Sequence, residues 1–251
     1  MDRTLRFATP FPSRAITHEH EHAHEHERVY ARFLNSRDVP ALLDLEHEKW
    51  NEVQAASEAQ LRARIEAHPD LAVGAFCPQS DRLLASLFMR PVADDFHRRA
   101  QTWQDYASLP APHHSSTLFG ISLTSRDKTG VSALLEFFWP HALKRGWRHI
   151  YLGSPVPGLG QWLAAHPEGR IEDYVRARRA GLPLDPQLRY YGSRGFSKIV
   201  AVKANYFPHH RSLDFGVLLR GTIPLSGLRP LWASVPLPSV RRATRLLAGL
   251  L

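Results

Sequence analysis

The chain has 251 residues, 43% of them hydrophobic and 22% charged, with a formal net charge of +8. That composition excludes a fibrous or wholly disordered protein, and no apolar run approaches the ~20 residues that span a bilayer. The lone cysteine, Cys77, excludes an internal disulfide and fits a reducing cytoplasm; its place in LAVGAFC predicts a buried thiol rather than a nucleophile.

Residues 1–27 read as a polar, disordered tail, without the apolar stretch of a secretory signal. Within it His18, His20, His22, His24 and His26 alternate with acidic or small residues, so an extended strand would put five imidazoles on one face. Nothing in the tail fixes such ligands, so no catalytic metal is expected. Order is predicted from about residue 28 in one domain, 28–224. VYARFL alternates as a strand, and Ser36 is placed to cap a helix through DVPALLDLEHEKW. Ser57 with Gln60 resembles a capping box opening a helix that stops at Pro69. LAVGAFC and LLASLFM, joined by PQSDR, predict a hairpin.

Residues 91–116 form an insertion with two readings: a lid or acceptor-binding segment, or a partly helical surface excursion. TLFGISLT is a strand, SRDKT a turn, and GVSALLEFFWPHALKRG a helix kinked at Pro140. HIYLGS is then a strand parallel to TLFGISLT, if that helix is a crossover. A loop, PVPGLGQWLAAHPEG, leads to the predicted helices IEDYVRARRAG and DPQLRYYGSRG. KIVAVKANYF and DFGVLLRGTIP close the sheet as an antiparallel pair. Residues 225–251 combine a Pro-rich stretch with an amphipathic basic helix, SVRRATRLLAGLL, expected to dock on the body.

The positive excess favours a solvated basic face first and an anionic small molecule second. Nucleic acid is not expected, because no zinc-finger or aromatic–basic motif accompanies the charge. Strand, polar turn and helix at Thr117–Arg145 make a phosphate cradle, since amides at a helix start point outward with the positive end of the dipole. Arg126 and Lys128 would add charge for a pyrophosphate. The segment has neither G-x-G-x-x-G nor GK[ST], and alone it is unspecific.

Three stretches narrow it. RDKTGVSALL at 126–135 is similar to an R-G-x-G-x-G/A-x-x-L cofactor turn, with Thr129 and Val131 at the small-residue positions, or Gly130 and Ser132 if the register shifts by one. RYYGSRGF at 189–196 is similar to an F-Y-x-x-x-G-F signature. The run IEDY…LDPQLRYYGSRGFSKIVAVKANYFP is similar to domains fused to nitrilase-like amidases and to the start of some polyketide assembly lines. On these residues the chain resembles the GNAT acyl-CoA N-acyltransferase family over roughly 29–224.

The resemblance implies an α/β fold: a mixed, mostly antiparallel sheet with a central splayed parallel pair, flanked by helices. It implies acetyl-CoA or another acyl-CoA, with Arg126, Lys128, Thr129, Gly130, Val131 and Ser132 at the pyrophosphate and the pantetheine arm between the splayed strands. Amides near Leu123 and Ser125 would polarise the thioester, and Tyr191 would be the general acid. The general base is open among Glu46, Glu48, Asp94, Asp95, His113 and His114, with Glu46 and His114 put forward. The acceptor would be a small amine or hydroxyl compound. The alternative is an assembly-line loading enzyme acting on an acyl carrier protein; such relatives carry histidine at the Tyr191 position and use a threonine–histidine pair, for which this chain offers Ser154 and His166. A non-catalytic binding module is the third reading.

Overall fold

Chain order begins with β1 (Tyr30–Phe33), whose exit is set by a local polar knot. The computed structural model describes residues 29–248, with 51, 53 and 109 excepted; the tail predicted at 1–27, with its histidine tract, lies outside them. Asn35, not Ser36, is the cap: its side chain accepts from the Arg37 N–H at 3.0 Å, while Asp38 accepts from the Asn35 N–H at 2.8 Å. A single 3₁₀ turn intervenes before α1 (Val39–Lys49). α2 (Glu58–Ala67) opens on the predicted box, with the Gln60 N–H donating to Ser57 Oγ and the Ser57 N–H to Gln60 Oε1.

β2 (Ala72–Phe76) and β3 (Leu83–Pro91) are the expected hairpin. Cys77, just beyond β2, is half-buried and donates to Gln79 Oε1 at 3.1 Å, so the predicted buried thiol is a turn residue instead. The insertion holds two short helices, α3 (Phe96–Arg99) and α4 (Trp103–Ser108). β4 (Thr117–Ser125), α5 (Lys128–Arg145) and β5 (His149–Pro155) form the parallel crossover unit, and α5 continues through Pro140.

Two readings need correction in the next stretch. The predicted loop after β5 contains α6 (Leu159–Ala165), and the helix predicted over IEDYVRARRAG stops early as α7 (Ile171–Arg176). The chain then turns through Ala180 and Gly181, both at positive φ, so that β6 (Arg178–Arg179) pairs with β7 (Leu182–Pro183). α8 (Pro186–Gly192) starts where Asp185 accepts the Gln187 and Leu188 N–H groups. β8 (Lys198–Lys203) and β9 (Gly216–Thr222) are antiparallel as expected. α9 (Arg229–Ser234) precedes α10 (Leu237–Ala248), which docks on α5: Val240 is fully buried, and Arg241 meets His141 at 3.0 Å.

The sheet order is β1-β2-β3-β4-β5-β9-β8, with β4 and β5 the one parallel pair among the described residues. Adjacent residues of β4 point to opposite faces, so Phe119 joins the core under α1–α4 while Leu118 joins the core under α5, α9 and α10. By the same alternation, Leu218 packs on the α1–α4 side, and Val217 and Leu219 pack under α6–α8. Thus α5 and α8 share one face of the sheet, on either side of the β4–β5 junction.

Candidate active site

Pairing between β4 and β5 begins at Thr117–His149 and ends at Gly120–Leu152, although β4 runs on to Ser125 and β5 to Pro155. Beyond that point β4 stays with β3, and β5 stays with β9. A bulge marks the divergence: Phe88 faces Ser122 while Met89 faces Gly120, leaving Ile121 unmatched and bending β4. The Arg126 N–H bonds to the Leu84 carbonyl at 2.8 Å, so by alternation the backbone groups of Leu123 and Ser125 point away from β3, toward the side β5 has left.

A cleft of about 650 Å³ passes through this gap. On the α5 side it is lined by Leu123, Val131, Leu135 and Ile150. On the α1/α2 side Glu46, Trp50, Arg64 and Tyr206 close it in. The insertion is partly helical, and its Thr102, Trp103 and Gln104 supply part of the wall. Trp103 Nε1 donates to the Ile121 carbonyl at 3.0 Å, and the Trp103 N–H donates to the Tyr206 carbonyl at 2.8 Å. Trp103 therefore occupies a backbone acceptor that β5 no longer reaches.

Tyr191 stands on α8 in the cleft wall, one turn after Gln187 and in edge contact with Tyr190 and Phe196 at 5.5 and 6.4 Å. Burial pushes its phenol above the ordinary value of 10, opposed in part by the Gln187 side chain. Of the six base candidates only Glu46 lines the cleft. It is 2% exposed, accepting from Thr124 Oγ1 at 2.6 Å and from the Ala56 N–H at 3.1 Å, while Trp50 Nε1 donates to the same Thr124 hydroxyl.

The others are elsewhere. His113 and His114 are exposed before the start of β4, at the opposite end of the strand from the gap, so His114 is not placed to act there. Asp94 accepts from Thr117 Oγ1, Asp95 pairs with Arg99, and Glu48 pairs with Arg126 and Lys49. Ser154 is fully buried, and the exposed His166 stacks on Trp162 at 4.4 Å; neither lines the cleft.

The cradle differs from its expected form. Asp127 caps α5: its Oδ1 accepts from the Gly130 N–H and from Thr129 Oγ1, each at 2.7 Å. The Gly130 N–H chiefly holds the Asp127 carboxyl below its usual range. Arg126 is turned back, donating to Glu48 Oε2 at 2.6 Å and to the Leu83 carbonyl. It braces α1 and β3 instead of facing an anion beyond the turn. Lys128, Thr129 and Ser132 are exposed, and Val131 is buried in the cleft wall. Gly130 serves packing, since an added Cβ would lie 3.0 Å from Ala85 Cβ.

Sequence reasoning missed Trp103, Tyr206 and Arg64. A signal existed for Arg64 alone: it falls on the same stripe as the buried Leu61 and Ile65 of α2, where a charge is out of place. Among the described residues no cluster of three or more metal-ligating side chains occurs, and no helix is long and apolar enough to cross a membrane.

No protein-family profile matches the sequence, and neither does any curated protein. Solved structures do match. The loading GNATL domain of CurA from Lyngbya majuscula is 17% identical at a TM-score of 0.67, covering 78% of this chain and 98% of its own. The GphF GNAT-like decarboxylase in complex with isobutyryl-CoA is 22% identical at 0.63, covering 77% and 98%. Malonyl-CoA decarboxylase from Rhodopseudomonas palustris is 14% identical at 0.52, covering 80% of this chain and 58% of its own. The chain has the GNAT fold, as its motifs predict.

Proposed function

We propose that this chain is an acyltransferase that receives an acyl-CoA between β4 and β5 and passes its acyl group to an amine or hydroxyl acceptor on the α1/α2 side. The observation that carries the reading is the divergence beyond Gly120 and Leu152, which leaves Leu123 and Ser125 as a strand edge on a cleft through the sheet. A pantetheine arm carries amides along an extended chain, and an unpaired strand edge is a surface suited to it.

When bound, coenzyme A would supply the activated thioester. The Leu123 and Ser125 N–H groups are the donors available to its carbonyl oxygen as charge develops there. Tyr191 protonates the departing thiolate, and a phenol raised above 10 remains protonated throughout the neutral range. Glu46 is the carboxylate available to take the acceptor's proton, held in place by Thr124 and the Ala56 N–H. Calorimetry with acetyl-CoA, followed by turnover with a panel of amines, tests the reading. Tyr191→Phe should leave acetyl-CoA affinity nearly unchanged and lower turnover about 10²–10⁴-fold. Absence of acetyl-CoA binding, or undiminished turnover in the variant, would overturn it.

A second reading, loading from or onto an acyl carrier protein, has its own support. Asp127 puts a carboxylate where a pyrophosphate would need a donor, and a carrier-borne arm brings a single phosphodiester instead. Arg176, Arg178, Arg179 and Arg189 are exposed beside the cleft-lining α8, suiting an acidic carrier. The loading domain of CurA shares the fold. Transfer assayed with the same acyl group on coenzyme A and on carrier protein separates the two readings: faster turnover on the carrier favours the second.

A further inference from the structure

Arg64 presents a cation to the cleft that the chain does not itself neutralise by contact. Its guanidinium is half-buried on α2 and lines the cleft, yet no hydrogen bond or ion pair reaches it among the described residues. It lies 5.8 Å from the ring centres of both Phe88 and Trp103. Two aromatic faces hold the planar group without using its five donors. The nearby carboxylate is Glu46, which accepts from Thr124 and the Ala56 N–H and makes no hydrogen bond or ion pair with Arg64. Burial lowers the Arg64 pKa and Glu46 raises it in part, so the group stays charged at a cost in solvation.

Two further donors in the cleft wall are unsatisfied. Ser122 Oγ and Tyr206 OH are buried without a partner among the described residues. Tyr206 is 1% exposed, and its hydroxyl lies against Gly153, where an added Cβ would come within 2.2 Å of it. Buried polar atoms that the protein leaves without a partner are ones that a bound ligand or an ordered water can satisfy. A guanidinium fork matches a carboxylate more closely than it matches an amine or an alkyl chain, and both hydroxyls line the same cleft.

We infer that Arg64 binds a carboxylate of the substrate on the α1/α2 side of the cleft, carried either at the far end of the acyl group or on the acceptor. The assignment rests on the acyl-transfer reading for the identity of the ligand, and the test separates the two. Calorimetry would compare malonyl-CoA with isovaleryl-CoA, its uncharged isostere, and separately L-leucine with isopentylamine, which lacks the carboxylate and needs no coenzyme A. Acetyl-CoA serves as the reference.

In one of the two arms the wild-type protein should favour the carboxylate ligand by about 10–100-fold, the range of a charge-assisted hydrogen-bonded pair. Arg64→Gln should abolish that preference and leave acetyl-CoA affinity within about twofold, while Arg64→Lys, which keeps the charge but not the fork, should retain part of it. If Arg64→Gln does not fold by circular dichroism, the lysine variant alone carries the test. No preference in either arm, or a preference unchanged in both variants, overturns the assignment. Failure of acetyl-CoA to bind wild type would sink the acyl-CoA reading instead, with the leucine arm still reporting on Arg64.

Discussion

Two glycines near the cleft carry very different loads. An added Cβ at Gly153 would meet the Tyr206 hydroxyl at 2.2 Å, whereas one at Gly192 would meet nothing within 4 Å. Gly153→Ala should therefore destabilise the protein by about 1–3 kcal/mol through overpacking, and Gly192→Ala should stay within about 0.5 kcal/mol, both read from denaturant midpoints. At Asp38 burial works to raise the carboxyl pKa, but the Arg32 guanidinium and the Asn35 N–H outweigh it and leave the net value below 3.8. A depressed carboxyl contributes stability above its unfolded value, near pH 4, and loses it as pH falls through the folded value. Asp38→Asn should flatten the acid limb of the stability curve and cost about 1–2 kcal/mol at neutral pH, since the Arg32 side chain is 35% exposed and partly screened. For Tyr191 the sign runs the other way: its raised phenol predicts that turnover is not lost on its account below pH 10.

At the scale of elements, what was legible was what is encoded locally. The capping box at Ser57 and Gln60, the β2–β3 hairpin and the β4–α5–β5 unit each follow from neighbours a few residues apart. The short helices α6 and α9 were not legible, because six or seven residues beside glycine and proline give too little periodicity to read. The β6–β7 turn was hidden by Ala180, which takes a left-handed conformation no pattern announces. Tyr191, singled out by its motif, lines the cleft, but Arg64, Trp103 and Tyr206 meet only because an insertion, a helix and a late loop converge on one bulge. The cap at the start of α5 was not read from the sequence: Asp127 takes the Gly130 amide, one of those a phosphate would use. Asp127→Asn keeps the cap and removes the charge, so it should tighten acetyl-CoA binding several-fold at low salt. Calorimetry at two ionic strengths checks this, and the gain should shrink as salt rises.

At the scale of the molecule, the cores under α5 and under α6–α8 lie on either side of the β4–β5 junction, while the core under α1–α4 runs across both halves through Phe119, Tyr151 and Leu218. β1–β4 pack between α1–α4 and α5, while β5, β9 and β8 carry α6–α8 on one face. The strand ladder that joins the halves is the register from Thr117–His149 to Gly120–Leu152, assisted by the Trp103 N–H reaching from the insertion to the Tyr206 carbonyl. So short a seam acts as a spine between two covers. Opening there would widen the cleft on the α5/α8 face, with the shared core under α1–α4 as its hinge. Amides of β3 and of β9 should consequently exchange with deuterium as two separate cooperative groups in the free protein. A ligand spanning the gap would bind the covers together, and exchange should then slow on β9 at Leu218 and Leu219, which do not line the cleft.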